Sequence, residues 1–333
     1  MKKVAISIIV FFVALQGFCQ NDSIKPDPGQ FFADIHTFYI YDVNGQTNPR
    51  SAFGINTAIM GYKKSLSKKI QATILYDVTR TTNFIFPDTI GISSYFEGSK
   101  YTAFLKMAEI GWQPKPWIEL YFGQLLNEQY LTIQDKHWGL RYVNTTAQEY
   151  FRFGNPADFG ARIKLRPSEK LIMSVSIMNG EGPFRYQDNE SLFQYCINAE
   201  YRPQEHLIFK IYGDYQPHAS GLNKDRCAIS VFAGYKKGKW MAGAEYNRVE
   251  NNIFLNNSDL SGMSIYSSFK TGKKTSVFAR ADHMFQYGDV ENEAYFMFGA
   301  EYRPAPAFGL TLSVKRNTWL NTLTPGIQAG IRF

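Results

Sequence analysis

The sequence predicts an all-β fold, a transmembrane antiparallel barrel of about sixteen strands whose long third loop folds into the lumen. Three observations carry that prediction. From Phe31 onward, apolar and polar residues alternate with period two in segments of about ten residues. The connections fall into two alternating classes, short turns rich in proline and glycine and long polar loops. After the first twenty residues no stretch approaches the apolar length of a spanning helix, although aromatics make up 16% of the chain.

The N-terminus sets the compartment. Lys2 and Lys3 precede an apolar run, Val4–Leu15, and Gly17 and Cys19 put small residues at −3 and −1 of a cut before Gln20. Such a run is too short to span about 30 Å of hydrocarbon, so it reads as a secretory signal peptide, residues 1–19, ahead of one barrel domain, 20–333. The bulky Phe18 argues against lipidation at Cys19. Cleavage lowers the formal charge from +7 to +5, and no basic run with interleaved aromatics points to nucleic acid. Two cysteines remain, Cys196 and Cys227, too few for a disulfide scaffold. Alternation puts them on opposite faces, which speaks against a bridge.

The strands show the alternation directly. In Ala157–Arg166, Phe159, Ala161, Ile163 and Leu165 share one face, and Arg162, Lys164 and Arg166 share the other. In Phe193–Arg202, Phe193, Tyr195, Ile197, Ala199 and Tyr201 alternate with Gln194, Cys196, Asn198, Glu200 and Arg202. Phe308, Leu310, Leu312 and Val314 alternate with Gly309, Thr311, Ser313 and Lys315. One face suits lipid and the other a watery lumen. A soluble sandwich also alternates, but its strands average about 5–6 residues, and here the segments match the 9–11 that cross a membrane at a tilt. The last segment, Thr324–Phe333, ends on an aromatic, resembling the assembly signal of bacterial outer-membrane proteins.

Short turns are expected at Ser65–Lys68, Pro114–Pro116, Pro167–Glu169, Pro203–Glu205, Lys237–Gly238, Thr271–Gly272 and Pro304–Pro306. Long connections are expected near 43–51, 81–100, 124–156, 179–192, 217–225, 250–258, 286–292 and 316–323. These join sixteen strands, or fourteen if two weak hairpins fail, and Tyr101–Trp112 is the least regular segment. A-E-Y-R-P occurs twice, ending at Pro203 and Pro304, each before a short turn. The third long connection far exceeds the usual loop of about 4–6 residues. Its Tyr130, Ile133, Trp138, Tyr142, Tyr150, Phe151 and Phe153 are too apolar to stay solvated. Glu128–Tyr150 is therefore expected inside the barrel, touching the wall near mid-height and narrowing the bore.

Arg162, Lys164, Lys210, Arg226, Arg280, Lys315 and Arg332 fall on the inward face, against Glu119, Asp214, Glu245 and Asp282. A positive lining lowers the barrier for anions. The alternative is neutralisation on the wall, Lys210 with Asp214 and Arg280 with Asp282. Arg162 and Lys164 are singled out on the expectation that no acid faces them from their own strand. Within the loop, Arg141 and Arg152 can reach the lumen beside Glu128, Asp135 and Glu149. The anion path expected from sequence is thus Arg162, Lys164, Lys210, Arg226, Arg280, Arg141 and Arg152. No G-x-S-x-G or H-E-x-x-H occurs, and the histidines lack metal-ligand spacing, so neither an enzyme nor a metal or other cofactor is expected. Thr271–Thr275 is like the end of a P-loop but lacks its first glycine and falls on a turn.

The sequence resembles the phosphate-selective porin O and P family. The resemblance is carried by Leu120-Tyr121-Phe122-Gly123-Gln124-Leu125, Trp138-Gly139-Leu140-Arg141-Tyr142-Val143, Asp158-Phe159-Gly160-Ala161-Arg162 and Ile177-Met178-Asn179-Gly180-Glu181-Gly182. It implies a trimeric, sixteen-stranded, anion-preferring diffusion channel of an outer membrane, with lipid and small hydrophilic solutes as partners. The competing expectations are a non-conducting barrel serving as adhesin or structural protein, and an outer-membrane hydrolase.

Overall fold

The computed structural model describes residues 28–80, 101–129, 133–221, 224–255, 258–287 and 290–333. The expected signal peptide, the connection 81–100 and Tyr130 lie outside the described residues. Sixteen strands follow in order: β1 (Gln30–Tyr41), β2 (Ser51–Ser65), β3 (Ile70–Arg80), β4 (Tyr101–Lys115), β5 (Ile118–Leu126), β6 (Ala157–Ser168), β7 (Leu171–Met178), β8 (Gln194–Gln204), β9 (Leu207–Gln216), β10 (Arg226–Lys237), β11 (Trp240–Glu250), β12 (Leu260–Lys270), β13 (Thr275–Tyr287), β14 (Val290–Ala305), β15 (Phe308–Asn317) and β16 (Thr322–Arg332). Each pairs antiparallel with its chain neighbours, and β1 pairs with β16 to close the barrel. Closure matters because an open edge in hydrocarbon leaves a row of unpaired amides. At the seam Ala33 and Phe333 exchange both backbone hydrogen bonds, at 2.7 and 3.0 Å.

The two faces separate as the alternation requires. On β8, Tyr195, Ile197 and Tyr201 are exposed on the outside, while Gln194, Cys196, Asn198 and Glu200 are buried within. On β15, Leu310 and Leu312 face out and Thr311 and Ser313 face in. Cys196 is buried, Cys227 is exposed, and both are free thiols.

All seven short turns fall within two residues of their expected positions. Pro116 and Pro306 lie in the turns themselves, but four other prolines do not. Pro114, Pro167, Pro203 and Pro304 each sit in the last residues of a strand, where the register shifts. Proline has no N–H for the ladder, and a bulge is where a strand can spare one. The strict alternation of short and long connections also fails. β13 and β14 remain paired up to Tyr287 and Val290, so 286–292 is mostly strand. Between β15 and β16 only 318–321 lies outside the strands, closed by Leu320 N donating to Asn317 Oδ1 at 2.9 Å and by Asn321 at φ 49°. Two aspartates hold longer connections. Asp42 accepts from the N–H groups of Asn44, Gln46 and Thr47, and Asp158 from those of Gly180 and Gly182.

Leu312, at the middle of β15, is 62% exposed on the outer face. Leu312→Arg is expected to destabilise the barrel by about 2–4 kcal/mol, the cost of a cation facing lipid near the midplane. The unfolding midpoint in denaturant, measured in lipid vesicles, checks this.

Candidate functional site

Between β5 and β6 the described residues of the long connection, 127–129 and 133–156, lie inside the barrel. The connection carries two short helices not foreseen in the sequence, α1 (Ile133–Trp138) and α2 (Ala147–Tyr150). Ile133, Trp138, Tyr142, Phe151 and Phe153 are buried against inward-facing Ile208, Phe232, Met241, Tyr266, Phe278 and Met297 of β9–β14. Trp138 meets Tyr266 and Phe278 edge-on, with ring centroids 4.9 and 6.1 Å away. Tyr150 stays partly exposed but lies 4.9 Å from the Tyr295 ring. One side of the lumen is thus a packed apolar core.

The loop also goes deeper than mid-height. Tyr142 lies over Gly309 and Gly330, near the short-turn ends of β15 and β16, where an added Cβ would stand 2.7 Å from its atoms. His137 Nε2 is 2.8 Å from the Ala242 carbonyl oxygen, close to the start of β11. Its ring covers Gly234, which has no Cβ to obstruct it. Small residues on the inner wall leave the room that lets the loop descend.

The inward cations have a common task. Arg162 donates to Leu126 O at 2.6 Å, Arg226 to Phe153 O at 3.0 Å, Arg280 to Thr145 O at 2.5 Å and Lys315 to Val143 O at 2.6 Å. Lys210 donates to the carbonyls of Glu128 and Gln129 and to Gln134 Oε1. Five wall cations therefore hold backbone carbonyls along or beside the loop. Neutral side chains assist: Gln148 donates to Ser230 and Asn247, and Asn144 to Tyr295. Tyr142 donates to Glu301 at 2.7 Å and shares a hydrogen bond with Thr311.

The acids complete the arrangement. Arg280 is paired with Asp282 at 2.7 Å, the expected wall neutralisation, but Asp214 serves Arg226 at 2.5 Å and not Lys210. Asp158 shares the inward face of β6 with Arg162 and Lys164, against the expectation from sequence, but its carboxylate accepts from the N–H groups of Gly180 and Gly182. The acid beside the two cations is Glu128 of the loop, 3.4 Å from Arg162 and 3.7 Å from Lys164. Arg141 is held by Asp135 at 3.0 Å and, through both terminal nitrogens, by Glu149. Burial alone would raise the Glu149 carboxyl, but the Arg141 charge and hydrogen bonds outweigh it and hold it below the usual range. Arg152 is exposed, at φ 57°.

Of the expected path residues, Lys210, Arg226 and Arg280 are buried under the loop, and Lys164 keeps 22% side-chain exposure. Lys164 and Arg162 share an electrostatic neighbourhood with Lys63 and Glu109, two inward residues that the sequence reading did not single out. Inward alternation on β2 and β4 marks both positions, but β4 shifts register in mid-course, which blurs the pattern. This polar side, made by β1–β6, also bears Asp34 and His36, which are 2.7 Å apart. A cavity of about 300 Å³ beside them is lined by Arg141, Arg303 and Arg332.

Replacing Lys210 and Lys315 by methionine removes loop anchors while keeping apolar bulk. A hydrogen bond from a charged group contributes about 1.5–3 kcal/mol, so amide hydrogen exchange across 133–153 is expected to quicken at least tenfold, with the barrel strands unchanged. Acid should loosen the same loop. The depressed Glu149 stabilises it fully above the ordinary glutamate value, about 4.3, and that contribution is lost as pH falls through the lower folded value. Protection factors, which remove the intrinsic pH dependence of amide exchange, should therefore be flat from pH 7 to 5 and fall below about 4, and Glu149→Gln should remove much of that fall.

No family model matches the chain, and no curated protein matches it. Solved structures do. OmpF of Salmonella typhi, in complex with daunomycin, superposes with a TM-score of 0.67 at 9% identity, covering 92% of this chain and 97% of that one. The outer membrane channel DcaP of Acinetobacter baumannii gives 0.64 at 10% identity, covering 92% and 97%. The outer membrane protein OmpT of Vibrio cholerae, in its trimer form, gives 0.59 at 12% identity, covering 92% and 100%. The barrel has the fold of bacterial outer-membrane porins.

Proposed function

We propose that the protein is a passive diffusion channel of an outer membrane, passing small hydrophilic solutes with weak anion preference. The observation that carries this reading is the division of the lumen: the loop is packed on the wall from β9 to β15, the face from β1 to β6 keeps charged side chains and a cavity, and a second cavity opens between β1, the loop and β14–β16. Solute passes through the space between loop and polar face. Near that path Lys63, Arg162 and Lys164 stand against Glu109 and Glu128, a small excess of positive charge. Salt screens beyond about 8 Å, so these charges set the bias, and cations buried beneath the loop contribute little to it. Phosphate is one anion that such a lining would admit.

The mature chain begins after the signal peptide and assembles as a trimer, in keeping with the trimer form of the Vibrio cholerae protein. A second reading is favoured by the apolar core under the loop, which would suit a barrel held shut. Conductance across planar bilayers separates the two: discrete steps support the channel, and their absence over a wide voltage range supports the closed barrel.

Selectivity is checked by reversal potential in a salt gradient. Arg162→Glu with Lys164→Glu is expected to move it toward cations, and Glu109→Gln toward anions. If neither change moves the potential, these residues do not set the bias. Deleting about ten residues from Trp138 onward should raise conductance, because loop bulk then leaves the bore.

A further inference from the structure

We propose that the short-turn rim binds the phosphate groups of anionic phospholipids in the leaflet it meets. The residues between strands at that rim include Lys68, Lys69, Lys170, Lys239, Lys273 and Lys274, against two carboxylates, Glu169 and Glu205. All six lysines are exposed. The opposite rim reverses the balance: its described connections outside the lumen hold three cations, Arg50, Arg185 and Lys224, against six carboxylates. The barrel is charge-polarised along its axis.

Aromatic neighbours indicate a membrane rather than a soluble polyanion. Trp240, 57% exposed, follows Lys239 directly and stacks on Phe269 with centroids 4.6 Å apart, and Lys239 Nζ lies 6.0 Å from that Phe269 ring. Trp117, 54% exposed, lies two residues from Lys115. Exposed indoles settle at the headgroup level, so lysines just beyond them stand at phosphate depth. Each ammonium is a compact charge suited to a phosphate oxygen, and attraction to anionic headgroups accumulates over neighbouring lysines. This inference needs only that the barrel crosses a membrane, whether or not it conducts.

The test is competitive lipid retention. Detergent-solubilised full-length protein is mixed with equal amounts of phosphatidylglycerol and phosphatidylethanolamine of identical acyl chains, and bound lipid is counted by native mass spectrometry. The wild type is expected to retain phosphatidylglycerol at least threefold over phosphatidylethanolamine. Converting the six lysines to glutamine should bring the ratio near one, whereas Arg50→Gln with Lys224→Gln at the other rim should leave it high. As a check that does not depend on the variant folding, raised ionic strength before transfer should erase the wild-type preference. A wild-type ratio near one, a preference that survives salt, or a sextuple variant that keeps it while its reversal potential shifts would each overturn the proposal. The last outcome would assign the lysines to the ion path.

Discussion

Irregular backbone inside a membrane barrel must find hydrogen-bond partners in protein or trapped water, since hydrocarbon offers none. Here the partners are cations of the wall. Arg162, Arg226, Arg280 and Lys315 each donate to one main-chain carbonyl, and Lys210 donates to two. Charged donors form the stronger class of hydrogen bond. The anchored carbonyls lie on either side of Trp138 and Tyr142 in the chain, at 126–129 and 143–153, and fix where the loop leaves and returns. The position of the apolar core, and of the space left over, follows from that anchoring.

The barrel was legible because each strand announces its own faces. Leu312 outside and Thr311 inside follow from period two without knowledge of any other strand, and so do the opposite faces of Cys196 and Cys227. What covers an inward residue is not local information. Lys210 reads as a pore charge until the loop is known to bring Glu128, Gln129 and Gln134 onto it. Glu128 reads as a loop acid until it is found between Arg162 and Lys164. The inward apolar residues Ile208, Phe232 and Met241 were the readable hint, because a watery lumen gives no reason for them. Proline in these turns marks two different places: Pro116 and Pro306 stand in the turn itself, whereas Pro203 and Pro304 mark the bulge that ends the ladder just before it.

The lumen therefore has two unlike sides. One is close-packed like a soluble core, with Trp138 1% and Phe153 1% exposed, and resists deformation as such cores do. The other is lined by paired and unpaired charges at the edge of water. A rigid insert against a charged wall fixes the geometry of the gap between them, which is set by a few side chains rather than by a fluctuating loop.

Tyr142 against Gly309 and Gly330 has an evolutionary consequence. A Cβ at either glycine would stand 2.7 Å from the Tyr142 side chain, while the phenol is tied to Glu301 and Thr311 and cannot retreat without losing both partners. Loop tip and barrel wall therefore cannot drift independently. A lineage that enlarges 309 or 330 must shrink 142, and one that loses the ring opens a void beneath both. Descendants of this chain should treat three positions, distant in sequence, as a single inherited character.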